Sequence, residues 1–209
     1  MAPSQTDRLY EQLSRSIRTA EIKPGALLVE PEIAAQYGVS RTPARETLRL
    51  LAAEGWLQVM PRKGYLVRPL QLQDVSEVMQ LRLMIEPALA GRAAQRATDE
   101  LCQQLREIVL AQHETSGRDG QLDHAENFHI ILATASGNQR AASVLGPLVD
   151  EISRLHHILP QAAEHISSTA EREGHLKIVQ ALEARDAHAA ETAMREHLEE
   201  SRNAMFSGF

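Results

Sequence analysis

The sequence is poor in the features that stabilise secreted proteins and in those that carry a chain into a membrane. It has one cysteine, Cys102, so no disulfide can form within the chain. No run approaches the roughly 18 apolar residues of a spanning helix. The opening "MAPSQTDRLY" also lacks the apolar segment of a secretory signal. These absences predict a cytoplasmic protein with no membrane partner.

Aromatic residues are also scarce, at 3% of the 209 residues. The abundant Ala, Leu, Glu and Arg are, by contrast, good helix formers. The composition therefore predicts a mainly α protein, and the length allows one or two domains.

Charge is distributed unevenly along the chain, whose formal net charge is -6. Residues 1–69 contain 10 Lys and Arg against 7 Asp and Glu, whereas residues 70–209 contain 12 against 21, together with all nine histidines. A local basic surface can bind phosphate even on an acidic chain. We therefore predict two domains with different partners, residues 1–69 and residues 70–209.

The first domain has the pattern of three helices. Residues 6–20 repeat apolar side chains at helical spacing and stop at "KPG". A second helix begins near Pro31 and ends at Gly38, where a positive φ permits a tight turn. Ser40 can cap the third helix, and Pro43 is tolerated in its first turn. Two helices joined by a short glycine turn are the elements of a helix-turn-helix.

Three arginines, Arg41, Arg45 and Arg49, are spaced by four residues along the third helix. Residues at this spacing drift by only about 40° per step, so they form one oblique stripe. Ser40 and Thr42 lie at the N-terminal end, where the helix dipole favours anions. The stripe therefore suits a groove edged by phosphates. The alternative is a solvated face on which the arginines pair with nearby carboxylates. The candidate carboxylates are Glu46 and Glu54.

The segment "WLQVMPRKGYLVRPL" that follows Gly55 predicts two short strands around "PRKG". The tip of this hairpin is basic, with Arg62, Lys63 and Gly64. A helix-turn-helix followed by such a hairpin is a winged helix. The prediction for residues 1–69 is therefore a winged helix-turn-helix DNA-binding domain.

The string "GVSRTPARETLRLLAAEGWLQVMPRKGYLV", with "IRTAEIKPGALL" upstream, closely resembles the DNA-binding domain of GntR-family bacterial transcription regulators. The resemblance implies that Arg41 and Arg45 read or clamp DNA with the help of Thr42. It also implies that Lys63 and Gly64 enter the minor groove. Arg49 is expected to touch phosphate. Pro31 stands where one branch of the family has a DNA-contacting arginine, so that contact is not carried over.

From Gln73 onward the pattern is helical, with breaks near residues 97–98, 116–120, 136–138, 159–160 and 184–186. These breaks predict about six helices in an antiparallel bundle.

The apolar stripe of the first of these helices includes Arg82 and Glu86. A charge on a buried face is costly unless it is paired. Two interpretations stay open: a structural ion pair between these residues, or an Arg82 that binds a carboxylate ligand.

Three histidines, His129, His175 and His197, lie on stripes that are predicted to face the core. Asp186 suits the N-cap of the last helix, and His175 and His197 are each 11 residues from it. Equal distances from a hairpin turn put two residues at the same level, so these imidazoles can meet. A lone core histidine is usually a satisfied polar group, but two at matched height with a third on an inward-facing stripe predict a metal site.

The segments "NFHIILATASGN" and "EREGHLKIVQALEARDAHAAETAMREHL" resemble the FCD ligand-binding domain of FadR-type GntR regulators. About six helices make the chain similar to the VanR-like group. The resemblance implies that His129, His175 and His197 bind a divalent metal, with zinc, nickel and manganese as candidates. It also implies an Asp or Asn four residues before the first histidine, where this chain has Ala125. Glu126 or Asp123 could substitute, or water and the effector could fill the position.

Arg154, in "DEISRLHHI", is a second candidate effector contact. The other six histidines lack comparable geometry, and we expect them to be surface or packing residues. They are His113, His124, His156, His157, His165 and His188.

The predicted function is a ligand-responsive, DNA-binding transcription regulator, expected to act as a repressor. It would bind a palindromic double-stranded DNA operator as a homodimer, and a small carboxylate effector would bind Arg82 beside the metal.

One alternative is a metal-dependent enzyme, since three histidine ligands leave open positions on zinc. No base or nucleophile motif near the histidines favours it, so the chain is not expected to be an enzyme. The other alternative is a DNA-binding protein with a purely structural metal.

Overall fold

The computed structural model describes residues 3–159 and 164–206 of the chain. The chain forms two compact units, Met1–Gln71 and Leu72–Phe209. The first combines helices with a small antiparallel sheet, and the second is helical. The predicted mainly α fold, with a winged helix-turn-helix before a helical bundle, is therefore confirmed.

The elements of the first unit are α1 (Gln5–Arg18), β1 (Leu27–Leu28), α2 (Glu30–Tyr37), α3 (Arg41–Ala53), β2 (Leu57–Met60) and β3 (Gly64–Val67). A capping box at Ser4 begins α1. Gly38, with a φ of 65°, ends α2 in the left-handed conformation that glycine adopts without strain. The turn between α2 and α3 is the one predicted for a helix-turn-helix.

The sheet of the first unit has the order β1-β3-β2, and both strand pairs are antiparallel. Strands β2 and β3 form the predicted hairpin. Strand β1 was not predicted, because two residues are too few to show an alternating pattern. It pairs Leu28 with Tyr65, and both side chains join the core of the unit with Leu13 and Leu48.

Six long helices make up the described part of the second unit. They are α4 (Leu72–Gln95), α5 (Asp99–Glu114), α6 (Arg118–Ala135), α7 (Gln139–Ile158), α8 (Thr169–Glu183) and α9 (Ala187–Phe206). Their ends agree with the predicted breaks, although Pro160 lies outside the described residues. Side chains of Thr98, Asn138, Ser168 and Asp186 cap four of these helices at their N-termini.

Helix α4 contacts four other helices of its unit: α6, α7, α8 and α9. Helix α9 in turn packs along both α4 and α8. These helices enclose an interior that holds charged and imidazole side chains among the apolar ones. No helix in the described ranges is long and apolar enough to cross a membrane.

Candidate functional site

Helix α3 presents a basic surface, because its apolar face is buried in the core of the first unit. Arg41, Thr42, Arg45 and Arg49 are all exposed. Ser40 occupies the N-cap position, but its side chain makes no capping hydrogen bond. Ser40 is therefore the N-cap residue as predicted, although its exposed hydroxyl forms no capping hydrogen bond and lies beside the first N–H groups of the helix. Such a terminus suits an anion such as a phosphate.

Arg45 is paired with a carboxylate, but not with either of the two considered from the sequence. Its Nε lies 3.0 Å from Oε2 of Glu30, at the start of α2. Glu46 and Glu54 instead accept hydrogen bonds from hydroxyl groups on α1. The Arg45 side chain is still 51% exposed, so a phosphate or a base edge can reach it.

The tip of the β2–β3 hairpin exposes Arg62 and Lys63. Gly64, which follows them, has a φ of 120° and lies against strand β1. A Cβ atom at this position would clash with the carbonyl oxygen of Leu28. The fold of the sheet therefore requires glycine here, independently of any contact with DNA.

Three imidazoles converge in the interior of the second unit; we call them the histidine cluster. His129 comes from α6, His175 from α8 and His197 from α9, and none is more than 5% exposed. One nitrogen of each lies within 4.8 Å of one nitrogen of the others. The ring centroids of His175 and His197 are 4.4 Å apart, in agreement with their equal distances from Asp186.

The geometry of the histidine cluster fits a metal ion. The Nε2 atoms of His129 and His175 are 3.4 Å apart. Two nitrogens bound tetrahedrally to one zinc ion, at about 2.0–2.1 Å each, are also separated by about 3.4 Å. The Nδ1 atom of His129 lies 2.6 Å from Oε2 of Glu86. A carboxylate at Nδ1 holds the proton there and leaves Nε2 with the lone pair that a metal requires.

Burial keeps two members of the cluster neutral. It lowers the pKa of His175 well below its usual value and the pKa of His197 to about 4, although the charge of Glu171 acts in the opposite direction. Both imidazoles are therefore unprotonated at neutral pH. Neutral imidazole is the form that binds metal ions.

Glu86 connects the cluster to Arg82. These two residues are one turn apart on α4, and the Nε of Arg82 donates a hydrogen bond to Oε1 of Glu86. Burial raises the pKa of Glu86, but Arg82 and His129 lower it by more and hold it well below its usual value. The ion pair considered from the sequence is thus present. Arg82 also lines the adjacent cavity, so its contact with a ligand stays a prediction.

Glu171 faces the cluster from α8 and was not among the site residues predicted from the sequence. It is 3% exposed, and its Oε1 lies 3.7 Å from Nε2 of His175. Its Oε2 lies 3.8 Å from Nδ1 of His197 and 3.1 Å from Nε2 of His165. Burial raises the pKa of Glu171, but these histidines lower it by more, so the carboxyl is ionised.

One signal in the sequence could have identified this carboxylate. Glu171 precedes His175 by four residues, a spacing that puts both on one face of a helix. His165, by contrast, precedes α8, and nothing in its local pattern shows that it turns inward. The expectation that His165 is only a surface or packing residue therefore needs correction, since it contacts Glu171 and lines the cavity.

A cavity that opens in part to solvent lies beside the histidine cluster. Of the two candidates for the missing ligand, Glu126 lines this cavity, whereas Asp123 is exposed. Ala125 also contributes to the wall. Arg154 is buried on α7 but is not among the described residues that line the cavity. Its contact with an effector therefore stays a prediction.

Comparison with known proteins gives a family match for each unit. Residues 5–67 match the family described as bacterial regulatory proteins, gntR family. Residues 77–200 match the FCD domain. The first range falls in the first unit and the second range in the second unit.

Individual relatives extend over most of the chain. The HTH-type transcriptional repressor RspR of Escherichia coli (strain K12) is 32% identical over 197 residues, which cover 92% of this chain and 85% of RspR. The Nta operon transcriptional regulator of Aminobacter aminovorans is 35% identical over 134 residues, 62% of this chain and 63% of that protein. Among solved structures, E. coli McbR/YncC aligns with a TM-score of 0.83 and 20% identity over 99% of both chains. That likeness supports the fold.

Proposed function

The chain belongs to the GntR family of bacterial regulatory proteins and carries an FCD domain, and we propose that it is a metal-dependent, ligand-responsive repressor. It is a DNA-binding transcription regulator rather than an enzyme. Its similarity to RspR, which is described as a repressor, supports the direction of regulation. The proposal that the protein depends on a metal and responds to a ligand rests on one observation: three buried imidazoles converge beside a cavity.

Helix α3 and the hairpin tip contact DNA in this proposal. Arg45 exchanges its half-buried partner Glu30 for a base edge or a phosphate. The exchange is favourable because an exposed ion pair contributes about 0–1 kcal/mol, whereas a bidentate contact to a base contributes about 1–3 kcal/mol. We assign Arg41 to the same groove. Arg49 and Lys63 contact phosphates, which position the protein without specifying sequence.

A homodimer on a palindromic operator is the arrangement we propose for the regulator. Two-fold symmetry of the protein is matched by two half-sites in the DNA. Exposed apolar side chains support a subunit contact through the helical unit. Met84 is 71% exposed and Leu81 44% exposed on α4, and Val144 is 53% exposed on α7. A second copy of the chain is the partner that would cover these side chains.

The ligand site in this proposal combines a metal with the cavity. The histidine cluster holds a divalent ion, with zinc, nickel or manganese as candidates, and the bound ion supplies positive charge that attracts an anion. We assign the cavity beside the cluster, which Arg82 lines, to a small organic acid. Arg82 on its wall adds a second positive charge. The hydroxyl groups of Ser153 and Ser201 also line it and can orient polar groups of the ligand.

Helix α4 gives the ligand a route to the DNA-binding unit. It begins at Leu72, the first residue of the second unit, and it carries both Arg82 and Glu86. A ligand that moves Arg82 therefore acts on the helix that directly follows the DNA-binding unit in the chain. Couplings of this kind are typically worth about 1–3 kcal/mol, or roughly 5–150-fold in affinity.

Elemental analysis tests the metal part of the proposal. Protein purified without a histidine tag or chelator should carry nearly one equivalent of a divalent metal. His129→Ala should lose it, whereas the control His188→Ala, which changes an exposed histidine of α9, should retain it. Wild-type protein without metal, even after reloading, would overturn this part.

Operator binding tests the ligand-dependent part. A DNA site is first selected with the protein from a random pool, and its affinity is then measured by fluorescence anisotropy with a panel of small carboxylic acids. We expect at least one acid to change the affinity about fivefold or more, and only when metal is present. Constant affinity across the panel would instead favour a purely structural metal.

A further inference from the structure

Glu171 is a buried carboxylate for which the family likeness and the spacing of the three histidines provide no role. We propose that Glu171 supplies a fourth protein ligand to the divalent metal ion held by the histidine cluster. The inference rests on the metal site of the proposed function and adds a residue to it.

The position of Glu171 on α8 directs it toward the ion. It lies one turn before His175, so both side chains project from the same face of the helix. Its Oε1 is 3.7 Å from Nε2 of His175, and its Oε2 is 3.8 Å from Nδ1 of His197. Ligands of one tetrahedral ion at about 2.0–2.2 Å are separated by about 3.4 Å. Rotation of the glutamate side chain can close the remaining few tenths of an ångström.

The surroundings of Glu171 leave one of its buried oxygens, Oε2, without a hydrogen-bond partner. Nε2 of His165 lies 3.1 Å from Oε2 but forms no hydrogen bond with it, and Oε1 faces His175. Glu86, the other carboxylate that touches the cluster, is already engaged by Arg82 and His129. Glu171 is therefore the carboxylate available to bind the ion itself.

Charge balance gives the second argument for Glu171. Neutral imidazoles leave the double positive charge of a buried ion uncompensated, and a buried charge is costly unless an opposite charge accompanies it. The ionised carboxylate of Glu171 compensates half of that charge. Its own burial, at 3% exposure, is in turn stabilised by the ion.

The same geometry accounts for alanine at position 125. Ala125 lies one turn before His129 on α6 and lines the cavity, so a carboxylate on that residue would approach the ion from the α6 side. In this chain the carboxylate comes from α8 instead. A variant that loses the carboxylate at residue 171 and gains one at residue 125 should therefore still bind the metal.

Metal affinity measured in competition with a chromophoric chelator tests this assignment, with Zn²⁺ and Co²⁺ as probes. Glu171→Gln should weaken binding more than about 100-fold, beyond the roughly 10–100-fold loss typical of a residue that only orients a ligand. The matched control Glu173→Gln, an exposed position on the same helix, should leave the affinity unchanged. Ala125→Asp added to Glu171→Gln should restore affinity by about tenfold or more.

The outcomes separate this inference from the proposed function. A loss below about tenfold in Glu171→Gln, with an unchanged Co²⁺ absorption spectrum, would overturn the role of Glu171 and leave the three-histidine site in place. A wild-type protein that binds no metal would overturn the proposed metal site itself. For an intermediate loss, the Co²⁺ spectrum decides, because it changes when a ligand is removed.

A second variant covers the case in which Glu171→Gln does not fold, as judged by circular dichroism. Glu171→Asp keeps the charge but is one methylene shorter, so its carboxylate lies farther from the ion. We expect about tenfold weaker metal binding from it. An affinity equal to that of the wild type would overturn the assignment.

Discussion

The buried ion pair between Arg82 and Glu86 makes a strong prediction about the stability of the helical unit. Their side chains are 5% and 1% exposed, and the second oxygen of Glu86 contacts Nδ1 of His129. Arg82→Met would leave this buried carboxylate with one partner. Removing one member of a buried pair typically costs about 3–5 kcal/mol. Because His129 remains, we expect the lower end, about 3 kcal/mol of the free energy of unfolding.

A second substitution separates the cost of the unpaired charge from the cost of lost packing. Glu86→Gln removes the charge that Arg82 compensates, yet its amide can still form a hydrogen bond with His129. Arg82→Met combined with Glu86→Gln should therefore be more stable than Arg82→Met alone. The coupling energy of the double-mutant cycle should reach about 1.5 kcal/mol or more.

Urea denaturation followed by far-UV circular dichroism, at neutral pH and with a chelator present, measures these free energies. Arg92→Met is the matched control, because Arg92 is exposed on the same helix and such surface changes usually stay within about 0.5 kcal/mol. Fluorescence of Trp56, the single tryptophan, reports on the first unit. A cost below about 1 kcal/mol for Arg82→Met, or a double variant no more stable than the single one, would refute the reasoning.

Three further predictions concern other parts of the molecule. Gly64→Ala forces a side chain into a positive-φ position against Leu28. It should cost about 1–3 kcal/mol of stability by calorimetry, and an unchanged melting temperature would contradict it. Arg45→Ala should weaken operator binding by about 1–3 kcal/mol if Arg45 reads a base, whereas Arg195→Ala in the helical unit should not; a normal footprint would reject this role. His197 has a pKa of about 4 in the folded protein, below the usual value of about 6.5. As the pH falls from 6.5 toward 4, the unfolded chain binds a proton that the folded chain does not, so stability is lost. Between pH 7.5 and pH 5 the metal-free protein should lose about 2 kcal/mol through this residue, and His197→Gln should show a shallower pH dependence in urea titrations.

The local features of this protein could be predicted from the sequence because each depends on residues within about one turn. Gly38 ends α2 as expected, since only its own φ decides whether a tight turn can form. Asp186 caps α9 through the backbone N–H of Ala189, three residues on. The meeting of His175 and His197 depends on more of the chain but still on one helical hairpin, which places residues at equal distances from its turn side by side.

The tertiary structure alone decided which partners charged side chains acquired from other helices. Glu30 rather than Glu46 or Glu54 pairs with Arg45, across 15 residues of chain, because α2 and α3 pack together. Glu86 reaches His129 across 43 residues. Helical periodicity places a residue on a face of its own helix, but the choice among facing side chains depends on how neighbouring helices cross. The sequence therefore determined the fold, the basic surface and the three histidines, whereas only the packing of the helices brought Glu86 to His129 and Glu171 to His197.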